Sequence, residues 1–220
     1  PNYTRIRPWT CIALTKGGHE MKVITGGLLI DGNGLDPVPD ASVVIDDDGR
    51  IVEAGSLDSF PSGAEVVDVV GKTIMPGIID CHAHLFVDVK PMHDQALEPM
   101  TLRTFQAAQN ARATLDAGVT SIRDPGGTPL GFKMAAEQGL FPSPRMRISV
   151  AVLSQTGGHA DPLLPSGINQ PLLPLGNSVE WPNGVCDGEA EVRKATRAMF
   201  RAGADFIKLC STGGVLSASD

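Results

Sequence analysis

Residues 72–85, Lys-Thr-Ile-Met-Pro-Gly-Ile-Ile-Asp-Cys-His-Ala-His-Leu, decide the fold of this chain. An apolar run passes a Pro-Gly turn and ends in His82 and His84, which are separated by one residue. Side chains at positions i and i+2 of a strand share a face, so a strand here would point both imidazoles and Asp80 in one direction. Imidazole is the commonest metal ligand, and two on one strand can bind a single ion. The spacing alone leaves open a strand end with two solvated histidines.

With its Pro-Gly-Ile-Ile-Asp lead-in, this stretch closely resembles the first barrel strand of the metal-dependent amidohydrolase superfamily. The resemblance implies an α/β fold, a (β/α)8 TIM barrel accompanied by a small N-terminal β-sandwich domain. It runs from about Met21 to the last residue and covers the first half of the family's architecture, about four βα units of the barrel. It also implies that His82 and His84 bind metal.

The chain from residue 76 to residue 220, assigned to the barrel, alternates between strand and helix patterns, as parallel βα units do. Residues 98–117 predict a helix with a single apolar stripe, formed by Leu102, Phe105, Ala108, Ala111 and Leu115. A short helix is predicted over residues 130–138, and a longer one begins after Asp187, whose side chain is expected to cap it. Strands are predicted over residues 119–124, 146–153 and 205–210.

Residues 21–75 predict the small β-domain, because short β-rich runs alternate there with turn signals. A hairpin is expected around the acidic run Asp46–Asp48, which we interpret as a solvated turn rather than a cation site. Residues 1–20 show neither strand alternation nor a helical period, and Met21 opens the first strand pattern. We therefore expect residues 1–20 to be a translated leader outside the fold.

Charge and composition exclude several classes of function. The formal net charge of −7, without a basic stripe, argues against a nucleic-acid partner. No apolar stretch approaches the ~18 residues of a membrane span, so no membrane role is expected. The four cysteines are scattered without a framework spacing, which predicts a reducing, cytoplasmic location.

The segment from residue 160 to residue 187 is rich in proline and glycine and shows no clear period. A loop of this length inside a compact domain is usually functional or disordered. It leaves the carboxyl end of the third barrel strand, where barrel enzymes keep their active sites. We interpret it as a substrate lid, with a neutral insertion as the alternative.

Lys208 is the second residue that points to chemistry, because it lies mid-strand between apolar residues where an unpaired lysine is costly to bury. Taken by itself, this position favours an ion pair or a side chain that reaches solvent. The family resemblance implies a different role, in which this lysine is carboxylated by CO2 and the carbamate bridges two divalent metal ions, with zinc the expected metal. Burial would lower the pKa of the lysine and supply the neutral amine that attacks CO2.

The resemblance further implies metal-assisted hydrolysis, in which a carboxylate carries the proton from the attacking hydroxide to the leaving amine. His159 follows the third strand at the open end and is a candidate to bind the substrate; a loop histidine that caps backbone groups is an equal alternative. Arg123 is a candidate to bind a substrate carboxylate, and an ion pair with Asp124 is the alternative. The stretch around His159 resembles the imidazolonepropionase-related branch, with its prolidase-like members, so dipeptides or N-acyl amino acids are the expected small-molecule substrates.

The sequence departs from the family pattern after Lys208. The family carries further histidines after strands 5 and 6 and a proton-shuttle aspartate after strand 8, and this chain has no counterpart for them. We therefore expect either a missing C-terminal half or a homo-oligomer, and a chain that is inactive alone. A non-catalytic half-barrel scaffold that self-associates and a mononuclear metal hydrolase are the competing interpretations.

Overall fold

The computed structural model of the chain describes residues 21–163, 165–167 and 178–214. It separates into two compact units, the first ending at Gly77 and the second beginning at Ile78. The expected leader at residues 1–20 and the middle of the expected lid lie outside the described residues. None of the described helices is long and apolar enough to cross a membrane.

The first unit is a five-stranded sheet in the order β3-β2-β1-β4, with β5 also pairing with β1. Its strands are β1 (Lys22–Leu29), β2 (Val38–Ile45), β3 (Ile51–Gly55), β4 (Glu65–Asp68) and β5 (Thr73–Ile74). The predicted hairpin is confirmed as β2 and β3, which pair antiparallel. Its acidic turn is held by Asp46, whose Oδ1 accepts the backbone N–H groups of Asp48 and Arg50.

The predicted β-sandwich is not confirmed, because the described strands of this unit join one sheet. Strand β1 pairs antiparallel with β2 along one edge, and parallel with β4 and then β5 along the other. Strand β1 is continuous past a bulge around Gly26. Gly26 has φ 84°, a conformation that glycine adopts at little cost.

The second unit contains parallel strands and the helices that connect them, as predicted. Its elements are β6 (Ile78–Asp80), α1 (Met92–Leu97), α2 (Met100–Asp116), β7 (Val119–Asp124), α3 (Leu130–Glu137), β8 (Arg145–Ile148), β9 (Val152–Ser154), α4 (Gly188–Arg201) and β10 (Lys208–Cys210). They form a parallel sheet β6-β7-β8 and a parallel pair β9-β10. The described strands do not close into a barrel, so the first half of the predicted architecture is present as an open arrangement.

The apolar stripe predicted for α2 is wrong at Leu102 and Phe105, whereas its members Ala108 and Ala111 pack in or against the core. The buried residues of this helix are Arg103, Ala107 and Ala111, whereas Leu102 and Phe105 are 45% and 74% exposed. The small alanines pack in the core beside Ile122 of β7. A helix that approaches a sheet closely needs small residues at the contact, and this requirement outweighs the hydrophobicity of the larger side chains.

The predicted strand over residues 146–153 is broken in the middle. Its first part, β8, pairs with β7, and its second part, β9, pairs with β10. Val150 between them has φ 68°, a left-handed conformation that a β-branched residue rarely adopts. Val150 is fully buried, and its carbonyl accepts the backbone N–H of Gly127 at 2.8 Å. The packed core and this hydrogen bond hold the strained residue in place.

Asp205, in the segment between α4 and β10, links this segment to α3 and β8. Its carboxylate accepts both hydrogen bonds from the Lys133 ammonium at 2.8 Å and the backbone N–H of Ile148 at 2.8 Å, and it lies 3.3 Å from Arg147 Nη1. Burial of the carboxyl raises its pKa, but these hydrogen bonds and the charge of Lys133 outweigh burial, so the pKa of Asp205 lies below its ordinary value. The ionised form therefore stabilises the fold.

Replacing Asp205 with asparagine is expected to lower the free energy of unfolding by about 2 kcal/mol near neutral pH, because charged hydrogen bonds are lost. Since its folded pKa is depressed, the carboxylate contributes above about pH 4, and the contribution disappears as the pH falls through the folded pKa. The difference between Asp205→Asn and the parent chain should therefore shrink in acid. Urea unfolding followed by Trp181 fluorescence in a Trp9→Phe background measures it.

The matched control is Glu137→Gln, because Glu137 also faces Lys133 but at 3.9 Å and with a 64% exposed side chain. Its expected cost is about 0.5 kcal/mol or less. Equal costs for the two variants would contradict the role assigned to Asp205.

Candidate active site

His82 and His84 lie just beyond the end of β6, not within the strand. The strand ends at Asp80, and the chain bends at Cys81 and His82. Asp80 stabilises the bend, because its Oδ1 accepts the backbone N–H of His82 at 2.9 Å. The two imidazoles nevertheless meet, with ring centroids 5.2 Å apart and planes at 69°. The predicted proximity of the two rings is thus confirmed, although a bend and not strand alternation produces it.

The His84 ring is oriented by a backbone carbonyl. Its Nδ1 lies 2.9 Å from the oxygen of Gly126, in the turn that follows β7. A carbonyl oxygen can only accept, so Nδ1 must carry the proton and donate it. In the neutral imidazole the lone pair is then on Nε2, which is the form in which histidine binds a metal.

Asp124, the last residue of β7, lies directly behind His84. It has no exposed surface. Its carboxylate accepts the backbone N–H of Leu85 at 3.1 Å, the backbone N–H of Gly126 at 3.0 Å and the hydroxyl of Thr128 at 2.6 Å. Burial raises the pKa of Asp124, and these hydrogen bonds oppose the rise. Its Oδ1 is 3.9 Å from His84 Nδ1.

Sequence reasoning missed this role of Asp124, which it considered only as an ion-pair partner of Arg123. A signal was available, since an acidic residue closes a strand and precedes Pro125-Gly-Gly. Residues at the carboxyl end of a parallel strand lie at the edge where sites form. The hydrogen bond from the Leu85 backbone to Asp124 could not be foreseen from the spacing, because the two residues are 39 positions apart.

Arg123 contacts the backbone of the same bend that carries the histidines. Its Nε–H donates to the carbonyl of Cys81 at 2.8 Å, and its guanidinium carbon lies 5.6 Å from the centre of the Phe206 ring. The side chain is exposed and belongs to the face of β7 opposite Ile122. The structure therefore places Arg123 beside His82. The Asp124 carboxylate accepts its hydrogen bonds from Leu85, Gly126 and Thr128 and not from Arg123.

Lys208 is the first residue of β10 and pairs in register with Val152 of β9. It is partly buried. The pKa of His82 is lowered by burial of its ring first, then by the charges of His84, Lys208 and Arg123, while Asp80 opposes the shift. Lys208 is thus close enough for its charge to act on His82. The two histidine rings lie together, and the charge of Lys208 acts on one of them.

His159 lies in the loop that follows β9. Its backbone N–H donates to the carbonyl of Thr212, after β10, at 3.3 Å. Its ring lies so close to Gly214 that a side chain at that position would collide with Nδ1. His159 therefore lies between the loops that follow β9 and β10, at the same end of these strands as the predicted site.

The loop of His159 is tied to α4 by Asp187. The sequence predicts that Asp187 caps α4, but its carboxylate makes no capping hydrogen bond. It accepts the hydroxyl of Thr156 at 2.5 Å and the Thr156 backbone N–H at 3.1 Å. Glu191, in the first turn of α4, binds the start of the helix, since its Oε2 accepts the backbone N–H of Asp187. The hydrogen bonds from Thr156 lower the pKa of Asp187.

The donor set of this neighbourhood fits a divalent metal ion in part. Within the described ranges there is no group of three or more His, Cys, Asp or Glu side chains placed to hold a metal. His84 offers a free Nε2 lone pair, and the lowered pKa of His82 favours its neutral, ligating form. An ammonium at Lys208 would repel a cation, whereas a carbamate at the same position would attract one. Two imidazoles and a carbamate fall short of the four donors that zinc usually takes.

Comparisons with known proteins agree with this architecture. A family model described as the amidohydrolase family matches residues 73–219. The ochratoxinase of Aspergillus niger is 34% identical to the chain over 212 residues, which are 91% of this chain and 44% of that protein.

Solved structures give the same result. The crystal structure of an amidohydrolase superposes with a TM-score of 0.80 at 40% identity, covering 91% of this chain and 49% of the other. A prolidase complexed with N-methylphosphonate-L-proline has a TM-score of 0.79 at 36% identity, with 91% and 48% covered. The chain spans about half the length of these relatives. With the family model matched over most of its length, the chain belongs to the amidohydrolase family.

Proposed function

We propose that this chain contributes to a metal-dependent hydrolase that cleaves amide bonds, with dipeptides or N-acyl amino acids as substrates. The observation that carries the proposal is the hydrogen bond from His84 Nδ1 to the Gly126 carbonyl, which leaves Nε2 free beside the His82 ring. Membership of the amidohydrolase family supports the hydrolase class. The substrate class rests on relatives whose names are prolidase and Xaa-Pro dipeptidase.

The metal ligands in this proposal are His82, His84 and Lys208. Divalent ions in such a site polarise the scissile carbonyl and make water acidic enough to act as a nucleophile near neutral pH. The role of the chain is to hold neutral imidazoles in fixed orientations. Imidazole and carbamate donors accept several divalent ions, and zinc is the one we propose.

Lys208 would become a ligand by reacting with CO2. Its neutral amine nitrogen would attack the carbon of CO2, forming a nitrogen–carbon bond while one carbon–oxygen π bond breaks and its electron pair moves to oxygen, and the nitrogen would then release a proton to water. The product is an anionic carbamate, which neutralises part of the positive charge around His82.

His159 and Arg123 are proposed to bind the substrate. A guanidinium has five N–H donors, and the Nε–H of Arg123 is engaged with Cys81. Its terminal nitrogens suit the carboxylate of a dipeptide or an N-acyl amino acid. His159, in the loop between β9 and α4, would bind a second polar group of the same substrate.

The described residues do not complete the site, since they contain no group of three or more conventional ligands. We propose that further ligands and the proton-shuttle carboxylate come from a C-terminal half of the barrel or from a second copy of the chain. The relatives are about twice as long as the region they share with this chain, which supports the first source.

A non-catalytic scaffold that self-associates is the second candidate. Strands β6 and β10 lie at the edges of their sheets and carry Ile79, 67% exposed, and Leu209, 59% exposed. Exposed apolar side chains on edge strands favour association with another chain. This candidate predicts a stable dimer without hydrolytic activity.

The chain is assayed alone and mixed with a C-terminal half from a homologous prolidase. Hydrolysis of Met-Pro or N-acetyl-methionine is expected only in the sample in which the site is complete. A chelator should abolish the activity and added zinc should restore it. His82→Ala should remove the activity, because it deletes a proposed ligand. Release of the free amino acid, measured by chromatography, follows the reaction. A stable dimer with no turnover in either sample would support the scaffold instead.

Replacing Lys208 with alanine separates a binuclear site from a mononuclear one. In the binuclear case the variant loses the bridging ligand, and zinc affinity should fall by about tenfold or more. In the mononuclear case the histidines alone hold the ion, and the affinity should be unchanged. The matched control is Lys194→Ala, an exposed lysine of α4 in the same unit. Competition with a chromophoric chelator measures the affinity of each variant.

A further inference from the structure

The turn formed by Gly126 and Gly127, the di-glycine turn, has all four of its backbone polar groups engaged. The Gly126 N–H donates to Asp124, and the Gly126 carbonyl accepts from His84. The Gly127 N–H donates to the Val150 carbonyl at 2.8 Å, and the Gly127 carbonyl accepts the Nε1–H of Trp181 at 3.0 Å. The two glycines have φ 149° and 109°, which other residues rarely adopt. The turn is therefore held from several sides.

Asp124 holds the turn through a carboxylate that no neutral side chain can replace. Its Oδ1 accepts from Gly126, and its Oδ2 accepts from Leu85 and Thr128. Every neighbour is thus a donor. An asparagine here would place an NH2 group against one of them and leave a buried donor unsatisfied. The cost would fall on the two segments that flank His84, namely Leu85 and the di-glycine turn.

Trp181 reaches the same place from the long loop before α4. It is 8% exposed and belongs to the core cluster that also contains Phe86 and Phe132. Its ring lies 6.4 Å from the ring of Phe86, two residues after His84, at 69°. Trp181 therefore contacts the chain on one side of His84 and hydrogen-bonds the turn on the other side.

We propose that Asp124 and Trp181 are positioning residues that act through the di-glycine turn to hold His84 as its Nδ1–H tautomer. The metal-binding purpose of this tautomer rests on the proposed function, but the tautomer itself is a property of the metal-free chain. Neither residue is offered as a ligand. Both residues fix the position of the Gly126 carbonyl. Asp124 accepts the N–H of Gly126, and Trp181 donates to the carbonyl of Gly127.

The two residues approach the turn from different parts of the sequence. Asp124 lies two positions before Gly126 and binds its N–H, at the start of the turn. Trp181 is distant in the sequence and binds the carbonyl of Gly127, at the end of the turn. Orientation of a metal-binding histidine by a backbone carbonyl commonly changes metal affinity by about 10-fold to 100-fold when it is lost. Loss of either residue should therefore weaken zinc binding without removing a ligand.

The test is the protonation pattern of the His84 ring in the metal-free full chain. Long-range proton–nitrogen NMR correlations at about pH 8, where an ordinary imidazole is neutral, distinguish the two tautomers, and a His84→Gln variant assigns the signals. The variants are Asp124→Asn and Trp181→Phe, which keeps the aromatic ring and removes the donor. The controls are Asp205→Asn, a partly buried carboxylate that also accepts hydrogen bonds, and Phe132→Leu, another aromatic residue that packs on Phe86.

The parent chain is expected to carry the proton on Nδ1. Asp124→Asn should convert His84 to a mixture or to the Nε2–H form, Trp181→Phe should shift it in the same direction by less, and both controls should leave it unchanged. Zinc affinity should fall by about tenfold or more for Asp124→Asn. A parent chain with its proton on Nε2, or variants indistinguishable from the controls, would overturn the proposal.

Two further measurements, circular dichroism and zinc binding, distinguish a failure of the positioning proposal from unfolding and from a failure of the proposed function. Circular dichroism shows whether Asp124→Asn is folded; if it is not, Trp181→Phe alone decides, since it preserves the packing ring. If the tautomer changes as expected while no form of the protein binds zinc, the positioning roles are supported and the proposed function fails. If zinc binds tightly and the tautomer does not respond, the positioning proposal fails and the proposed function is untouched.

Discussion

The buried carboxylate of Asp124 is the constraint on which the arrangement around His84 depends. It satisfies backbone donors on both sides of the site, Leu85 after the histidines and Gly126 in the turn after β7. A carboxylate without exposed surface is costly unless its oxygens accept hydrogen bonds, so the three donors and the acid require one another. The Gly126 carbonyl is left facing His84, and the proton on Nδ1 results from that placement.

The charge distribution explains why this neighbourhood suits a metal site and why it is incomplete. Lys208, Arg123 and the neighbouring imidazole all lower the pKa of His82 in addition to burial. The lowered pKa favours the neutral form of His82, which is the form that binds a metal. The positive charges of Lys208 and Arg123 would repel a cation, so an anion is needed in the neighbourhood before a metal can bind well. A carbamate on Lys208 would supply part of that negative charge, and carboxylate from further residues would supply more.

The positions of helices α2, α3 and α4 could be predicted from the sequence, although Leu102 and Phe105 of α2 are exposed and Asp187 makes no capping hydrogen bond to α4. The nearness of His82 and His84 was also predictable. The bend at Cys81 was not, because two histidines separated by one residue have the same sequence spacing in a strand and in a bend. The break in the strand at Val150 was not predictable, because residues 146–153 contain no glycine or proline. The contacts of Asp124 with Leu85 and of Trp181 with Gly127 could not be predicted, because each joins segments that are distant in the sequence.

The central claim, that His82, His84 and Lys208 form part of a divalent-metal site, is tested most directly by counting bound metal. Protein purified without chelator, as the chain alone and with a complementing C-terminal half, is analysed by plasma mass spectrometry beside a His82→Ala, His84→Ala double variant. We expect about two equivalents of a divalent metal in the completed protein and a large loss in the variant. Near-zero metal in the completed parent protein, or equal metal in parent and variant, would contradict the claim.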